Sequence, residues 1–284
     1  LVEAYGTALA RNAALAAYYR KLFYQETKPR YILEYTEDSV WWLAVHRTVF
    51  DACSPWLPTE TISMCDIGAG PGYPLQVARE RGYRTSALEP SPICAAALRK
   101  EGHHVFECTL EEYHAGWVDK QEHQKAERFD LLYAWECLEH SATPENFVLQ
   151  CWDLLKPGGI LVVCAPNEFN SLQLAACAQH KLPWWFISAP DHQQYFTPVT
   201  LKLLLRRCGF TIRFVRMTYP MEKFLLEGRI YVGNTEIGRE CHRERMQFEL
   251  DAIKGGRWKE LEHEYIENVE RRIGREIIYV AQKT

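Results

Sequence analysis

The apolar positions keep one period at the start of the chain and another through its middle. Residues 1–25 carry Leu1, Tyr5, Leu9, Leu15, Tyr18, Tyr19 and Leu22 at spacings of three or four with one gap, which predicts an amphipathic helix. Thr36-Glu37-Asp38-Ser39 reads as a turn and helix cap before a second helix through Trp41, Trp42, Val45 and Val49, and Pro55 and Pro58 end it. From residue 61 short apolar runs alternate with helical stretches. Strands are predicted at 62–67, 85–88, 104–108, 129–134 and 160–164, with helices at 75–81, 92–100 and 144–155 and a polar loop or helix at 111–128. Gly82 and Gly102 stop two of the helices, and Pro157-Gly158-Gly159 marks a sharp stop before the fifth strand. Strands apolar on both faces, alternating with helices, predict a mostly parallel sheet covered by helices: an α/β, Rossmann-like fold.

The last third departs from this alternation. Residues 168–196 read as a long connection holding Pro183-Trp184-Trp185-Phe186. A helix is predicted at 197–207, where Thr197-Pro198 suits a capped, Pro-initiated first turn and Gly209 is the stop. Strands at 211–215 and 277–281 bracket a charged stretch, 236–272. Its Met246, Leu250, Ile253, Leu261, Tyr265 and Val269 recur at helical spacing, and Gly255-Gly256 divides it into two helices. Between Arg239 and Glu276 there are nine Lys/Arg and ten Asp/Glu, a solvated face over a packed one. No internal repeat or low-complexity tract is visible.

Composition narrows the class. The 284 residues are 47% hydrophobic and 25% charged, which excludes a disordered or collagen-like chain. A chain this long buries roughly three-quarters of its unfolded surface, so it needs no disulfide or metal staple. A net charge of −4 gives no electrostatic reason to expect a nucleic-acid partner. The ten cysteines include no CxxC pair and sit mostly in apolar stretches, which reads as buried thiols in a reducing, cytoplasmic setting. No apolar run approaches the ~20 residues of a membrane span. The Ala-rich start is interrupted by Arg11 and Asn12, so it lacks a signal-peptide core, and Leu1 in place of an initiator methionine reads as a trimmed start.

The strongest chemical signal is Cys65-Asp66-Ile67-Gly68-Ala69-Gly70-Pro71-Gly72: a strand delivers an acid, and three glycines on alternate positions precede a helix. Glycines let the backbone turn tightly and approach a ligand, and the helix start offers unpaired N–H groups. Glu89 ends the next strand, 17 residues beyond Gly72, close to where an acid meets a ribose hydroxyl pair in nucleotide-binding sheets. A nicotinamide dehydrogenase is one nucleotide reading, but it prefers GxGxxG. Here the third glycine comes one residue early, beside Pro71. A non-catalytic binding protein is another, against which the intact turn and both acids count.

Taken with Phe129-Asp130, Cys137-Leu138-Glu139-His140 and Leu155-Lys156-Pro157-Gly158-Gly159, the turn and Glu89 resemble the ordered motifs of class I S-adenosylmethionine-dependent methyltransferases, over about residues 60–215. The Leu138-Glu139-His140 stretch and Asp191–Pro198 are similar to the branch of ubiquinone-biosynthesis-like O-methyltransferases and natural-product or sugar methyltransferases. The resemblance implies a seven-stranded sheet with its last strand antiparallel. With the resemblance, the chain reads as a helical lid at 1–58 and a methyltransferase domain at 59–284, whose helical insertion at 221–274, read from the residues, departs from the family's usual hairpin. That insertion reads as a cap on the acceptor site or as a homodimer contact.

The same resemblance implies S-adenosyl-L-methionine as cofactor and a small-molecule acceptor, with oxygen the expected acceptor atom. Asp66 and the backbone of Gly68, Ala69, Gly70 and Gly72 would hold the methionine end. Glu89 would take both ribose hydroxyls, with Pro90 and Ser91 beside the adenine. Thr109 and Leu110 would meet the adenine edge, where many relatives have an Asp near the position of Thr109. Ala134, Trp135 and Glu136 would line the methyl-donor pocket. A hydroxyl acceptor needs a base, and His192, beside Tyr195, is the expected one. Glu139 and His140 would brace their loop, His103, His104 and His114 read as loop or strand residues, and no ordered Asp/Asn cluster marks a metal. Trp184, Trp185 and Tyr195 would shape the acceptor pocket, with core packing or a dimer contact as the plainer role of the tryptophans. Trp41 and Trp42, with Tyr31 and Tyr35, read as a lid or as helix packing.

Overall fold

A computed structural model describes residues 7–21, 36–121 and 127–284. Leu1, Tyr5, Leu22, Tyr31 and Tyr35 lie outside the described residues. Seven strands form one sheet: β1 (Ser63–Ile67), β2 (Arg84–Leu88), β3 (His104–Phe106), β4 (Phe129–Trp135), β5 (Leu155–Pro166), β6 (Phe210–Met217) and β7 (Glu276–Lys283), in the order β3-β2-β1-β4-β5-β7-β6. Neighbours from β3 across to β5 are parallel, and β7 runs antiparallel to both β5 and β6. The chain turns back across the sheet between β1 and β4, so the connections leaving these two strands part and open a crevice at their carboxyl ends.

Apolar residues on both faces explain why the central strands are covered twice. Leu132 and Ala134 of β4, Leu161 and Val163 of β5 and Tyr279 of β7 pack into one core. Leu131 and Tyr133, Ile160 and Val162, and Val280 pack into the other. The helices are α1 (Ala8–Lys21), α2 (Ser39–Cys53), α3 (Tyr73–Glu80), α4 (Pro92–Lys100), α5 (Leu110–Gln121), α6 (Pro144–Leu154), α7 (Ser171–His180), α8 (Pro198–Arg207), α9 (Glu222–Leu226), α10 (Thr235–Lys254) and α11 (Trp258–Arg271). Phe147, Val148 and Leu154 of α6 and Leu201 and Leu205 of α8 cover the first face. Val49, Phe50 and Cys53 of α2 and Val77 and Ala78 of α3 cover the second. Each such fully buried side chain contributes about 1.5–3 kcal/mol relative to exposure.

Local chemistry sets several boundaries. Thr197 Oγ1 accepts the Thr200 N–H at 3.2 Å and Pro198 occupies the first turn of α8, as its sequence predicts. The stretch 168–196, read as a plain connection, contains α7. Its start is fixed by Asn170, whose side chain accepts the N–H groups of Leu172 and Gln173 while the Gln173 side chain accepts the Asn170 N–H. Residues 157–159 are not a stop between elements. β5 begins at Leu155 directly after α6, and pairing with β4 jumps from Phe129↔Leu155 to Phe129's second neighbour Leu131↔Ile160, so the Pro-Gly-Gly run is a bulge with Gly158 at φ 78°. Asp38 precedes α2 without capping it, because Arg239 and His242 take its carboxylate.

The insertion leaves after β6 and returns at β7. Thr218 donates its N–H to the Glu276 carbonyl at 3.1 Å, and Glu276 donates back to the Thr218 hydroxyl at 3.0 Å, closing the neck. Within it α10 and α11 are divided at Gly255-Gly256, as the sequence predicts, and α11 lies against β6 while α10 lies against α2.

Candidate active site

β1 ends in a turn that only glycine fits easily. Gly68, Gly70 and Gly72 have φ of 70°, 49° and 79°. A Cβ on Gly68 would sit 2.5 Å from Cys137 Sγ, and one on Gly72 would sit 2.3 Å from Leu98 Cδ2. Gly72 opens α3 with no side chain capping that helix, so its first N–H groups stay with the turn.

Two carboxyls flank the turn. Asp66 is buried, and its Oδ2 has no hydrogen-bond partner. Burial, reinforced by the nearby Glu89 charge, holds its carboxyl well above the usual carboxylate range. Glu89 is also buried. It accepts the Gly70 N–H at 2.8 Å on Oε2 and the Ser91 N–H at 2.7 Å on Oε1. Burial pushes it up to about 7, although both N–H groups oppose the rise.

A cavity of about 720 Å³ opens over these carboxyl ends. It gathers Asp66, Glu89 and Pro90 with the turn residues Gly68, Ala69, Gly70 and Gly72. Thr109, Leu110, Trp135, Glu136, Trp185 and His192 also line it. Thr109 spends its hydroxyl on α5, accepting the Glu112 N–H at 3.3 Å while its own N–H goes to Glu112 Oε2 at 2.9 Å. Glu136 takes φ 51°, rare for a non-glycine residue and typical of functional rims. Four expected residues are not brought to the cavity, the first being Ser91, which is buried outside the lining. Ala134 is fully buried in the sheet core, Trp184 is 55% exposed outside the lining, and Tyr195 packs beside Phe169 with ring centroids 5.6 Å apart.

One wall joins residues from three segments. The Tyr19 hydroxyl of α1 lies 3.2 Å from His140 Nδ1, which also lies 3.0 Å from the Asp191 carbonyl. The His140 and His192 rings are 5.1 Å apart. Glu139 is buried with Oε2 unpartnered, and burial together with Glu136 pushes it far up. Ligand atoms of Glu139, His140 and His192 lie within 4.8 Å of one another, a two-histidine, one-carboxylate donor set that suits a divalent transition metal. Their separation in sequence hid this grouping, since no fixed spacing links 139–140 to 192.

The insertion supplies wall residues that the sequence reading missed. Arg239, His242 and Arg245 sit three apart on α10, hence on one helix face, and all line the cavity. Asp38 accepts from Arg239 Nη1 at 3.0 Å and lies 3.1 Å from His242 Nε2. Burial and Arg245 hold His242 down at about 4, so its ring is neutral. Glu168, just past β5, accepts Gln173 Nε2 at 2.6 Å, and burial lifts it to about 7. The three-residue spacing was legible, but not the element it would face.

With this geometry in hand, comparisons place the chain. A family model described as a methyltransferase domain matches residues 41–214, more than half of the chain. The ubiquinone biosynthesis O-methyltransferase of Methylobacterium nodulans is 28% identical over 158 residues, covering 55% of this chain and 62% of that protein. Its namesake from a Bradyrhizobium species is 31% identical over 144 residues, covering 48% and 53%. The chain thus spans little more than half the length of such curated relatives. Among solved structures, a SAM dependent methyltransferase from Archaeoglobus fulgidus aligns with a TM-score of 0.51 at 16% identity, over 84% of this chain and 94% of that one, a likeness of fold.

Proposed function

Because the chain belongs to the methyltransferase-domain family, we propose that it moves a methyl group from S-adenosylmethionine to the oxygen of a small-molecule acceptor. The observation that carries this reading is that the unpartnered Asp66 Oδ2 and the Gly70-bound Glu89 flank a turn where side chains cannot fit. When bound, S-adenosylmethionine supplies a methyl carbon made electrophilic by a cationic sulfur.

The chain's own residues then have defined tasks. Each Glu89 oxygen holds one backbone N–H and, as a carboxylate, has a further lone pair for a ribose hydroxyl. Asp66 offers its unpartnered oxygen to the cationic methionine end. Pro90, Thr109 and Leu110 flank the adenine side, and Trp135 and Glu136 the methyl side. The segment up to 58 excludes water: α1 contributes Leu15 and Tyr19 and α2 contributes Trp41 and Trp42 to the wall. The 221–274 insertion closes the acceptor side with Tyr231 and Arg245. Alignment of this kind supplies on the order of 7–11 kcal/mol of a barrier. His192 takes the acceptor's hydroxyl proton as the methyl group transfers. Ten free cysteines fit a reducing, cytoplasmic setting, and among the described residues no helix is long and apolar enough to cross a membrane.

Calorimetric titration tests the reading. S-adenosylmethionine should bind and NADH should not. Binding of NADH in its place would assign the crevice to a dinucleotide.

A further inference from the structure

On the cofactor reading above, we infer that Arg239, carried into the cavity by the insertion, binds the α-carboxylate of the cofactor's methionine tail. That tail bears an ammonium and a carboxylate. Asp66 answers the ammonium, but the cavity around the turn is otherwise acidic, with Glu89, Glu136 and Glu139 on its wall. A carboxylate enclosed there without a cation would carry a heavy desolvation cost.

Among the described residues the cationic side chains on the wall are Arg239, Arg245 and Arg275. Arg245 is buried, with Nε 3.5 Å from Glu249 and Nη2 3.5 Å from Glu276, and its guanidinium lies 4.7 Å from the Trp41 ring centroid. Arg275 Nε lies 3.4 Å from Glu276, at the start of β7 and within the field of Glu168 and Glu222. Both are engaged with Glu276, at the neck of the insertion.

Arg239 is held on the turn's side. Its Nη1 and Nη2 reach Asp38 at 3.0 and 3.3 Å, and Nη2 reaches Glu37 at 3.2 Å. Thr36, two residues before Asp38, shares a side-chain hydrogen bond with Tyr73, whose phenol is raised by burial and then by the Asp38 charge, and Tyr73 directly follows Gly72 and lines the cavity. The Asp38 carboxylate is mostly buried and therefore fixes the plane of the guanidinium. A guanidinium presents its donors as a rigid planar fork, so one carboxylate can orient it while another shares it. The His242 ring on the same carboxylate is neutral, which leaves Arg239 as the cation of this corner.

Calorimetry on the full chain separates this role from simple docking of α10 onto α2. The probes are S-adenosylhomocysteine, which has the amino-acid tail, and 5′-methylthioadenosine, which lacks it. Arg239→Gln should weaken S-adenosylhomocysteine by roughly 10- to 100-fold, the range of a charged hydrogen-bonded pair, and leave methylthioadenosine within twofold. Arg239→Lys should recover part of the loss. Equal weakening of both ligands, or of neither, overturns the assignment. Should Arg239→Gln not fold, the wild-type protein decides: decarboxylated S-adenosylmethionine must bind at least tenfold more weakly than S-adenosylmethionine, and equal affinity overturns the assignment. Failure of wild type to bind any adenosyl probe would instead remove the cofactor reading, and this inference with it.

Discussion

Glu89 receives the backbone N–H of Gly70 at 2.8 Å, so the acid that ends β2 and the turn that follows β1 hold one another in place. The contact couples a titrating group to the conformation of the turn.

A pH dependence follows. Glu89 is raised from the ordinary value of 4.5 to about 7 in the free protein, so its stabilising contribution is whole below the usual carboxylate range and is lost as pH rises through about 7. His46 and His242 are lowered, to about 3 and about 4, and their opposite contributions are complete above the ordinary histidine value near 6.5. Glu168, also lifted to about 7 by burial, adds to the same loss, so the melting temperature of the free protein is expected to fall between pH 6.5 and 8, and Glu89→Gln should reduce that fall without abolishing it. Cofactor binding draws on the ionised form, so affinity at pH 8 should exceed that at pH 6 by about tenfold. Affinity that is level across this range, measured by calorimetry, would detach Glu89 from the cofactor.

Asp66→Asn trades binding against stability. It replaces a buried carboxyl, whose Oδ2 has no partner, with a neutral amide of the same shape. At pH 8 the free protein should gain melting temperature while S-adenosylmethionine affinity drops by tenfold or more, about 1.4 kcal/mol. A variant that binds as tightly as wild type would show that Asp66 only packs.

Gly72→Ala forces a side chain into φ 79° and against Leu98. The expected cost is about 1–3 kcal/mol in denaturant unfolding, with weaker cofactor binding because α3 starts at this residue. An unchanged midpoint would mean that the turn relaxes freely.

His192→Ala should leave cofactor affinity within twofold and lower turnover of a true acceptor by about 10²–10⁴. Full activity in a methyl-transfer assay would move the proton-accepting role elsewhere on the wall.

Much of the scaffold was legible because its signals are local. Strands apolar on both faces, the glycine turn and the divided helical insertion each announce themselves within a few residues. α7 was overlooked although Asn170 and Gln173 spell a capping box, since the Pro-Trp-Trp run downstream dominated the reading of 168–196. Trp184 was expected at the acceptor pocket, but it points out while its neighbour Trp185 lines the cavity, a distinction that adjacent residues of one type cannot encode. Arg239 and His242 were invisible as site residues because their partner, Asp38, lies about two hundred positions away in sequence. Only the packing of α10 on α2 joins them.

The neck formed by Thr218 and Glu276 gives the insertion a further significance. Its departure and return points are hydrogen-bonded neighbours on adjacent strands, so the excursion is a closed loop hung from a clasp. Lengthening or exchanging such a loop alters closure entropy only slightly, and the sheet and the glycine turn need not adjust. Choice of acceptor can therefore drift in descendants of this gene through changes elsewhere in the loop, while the donor half and the Arg239 corner are inherited intact.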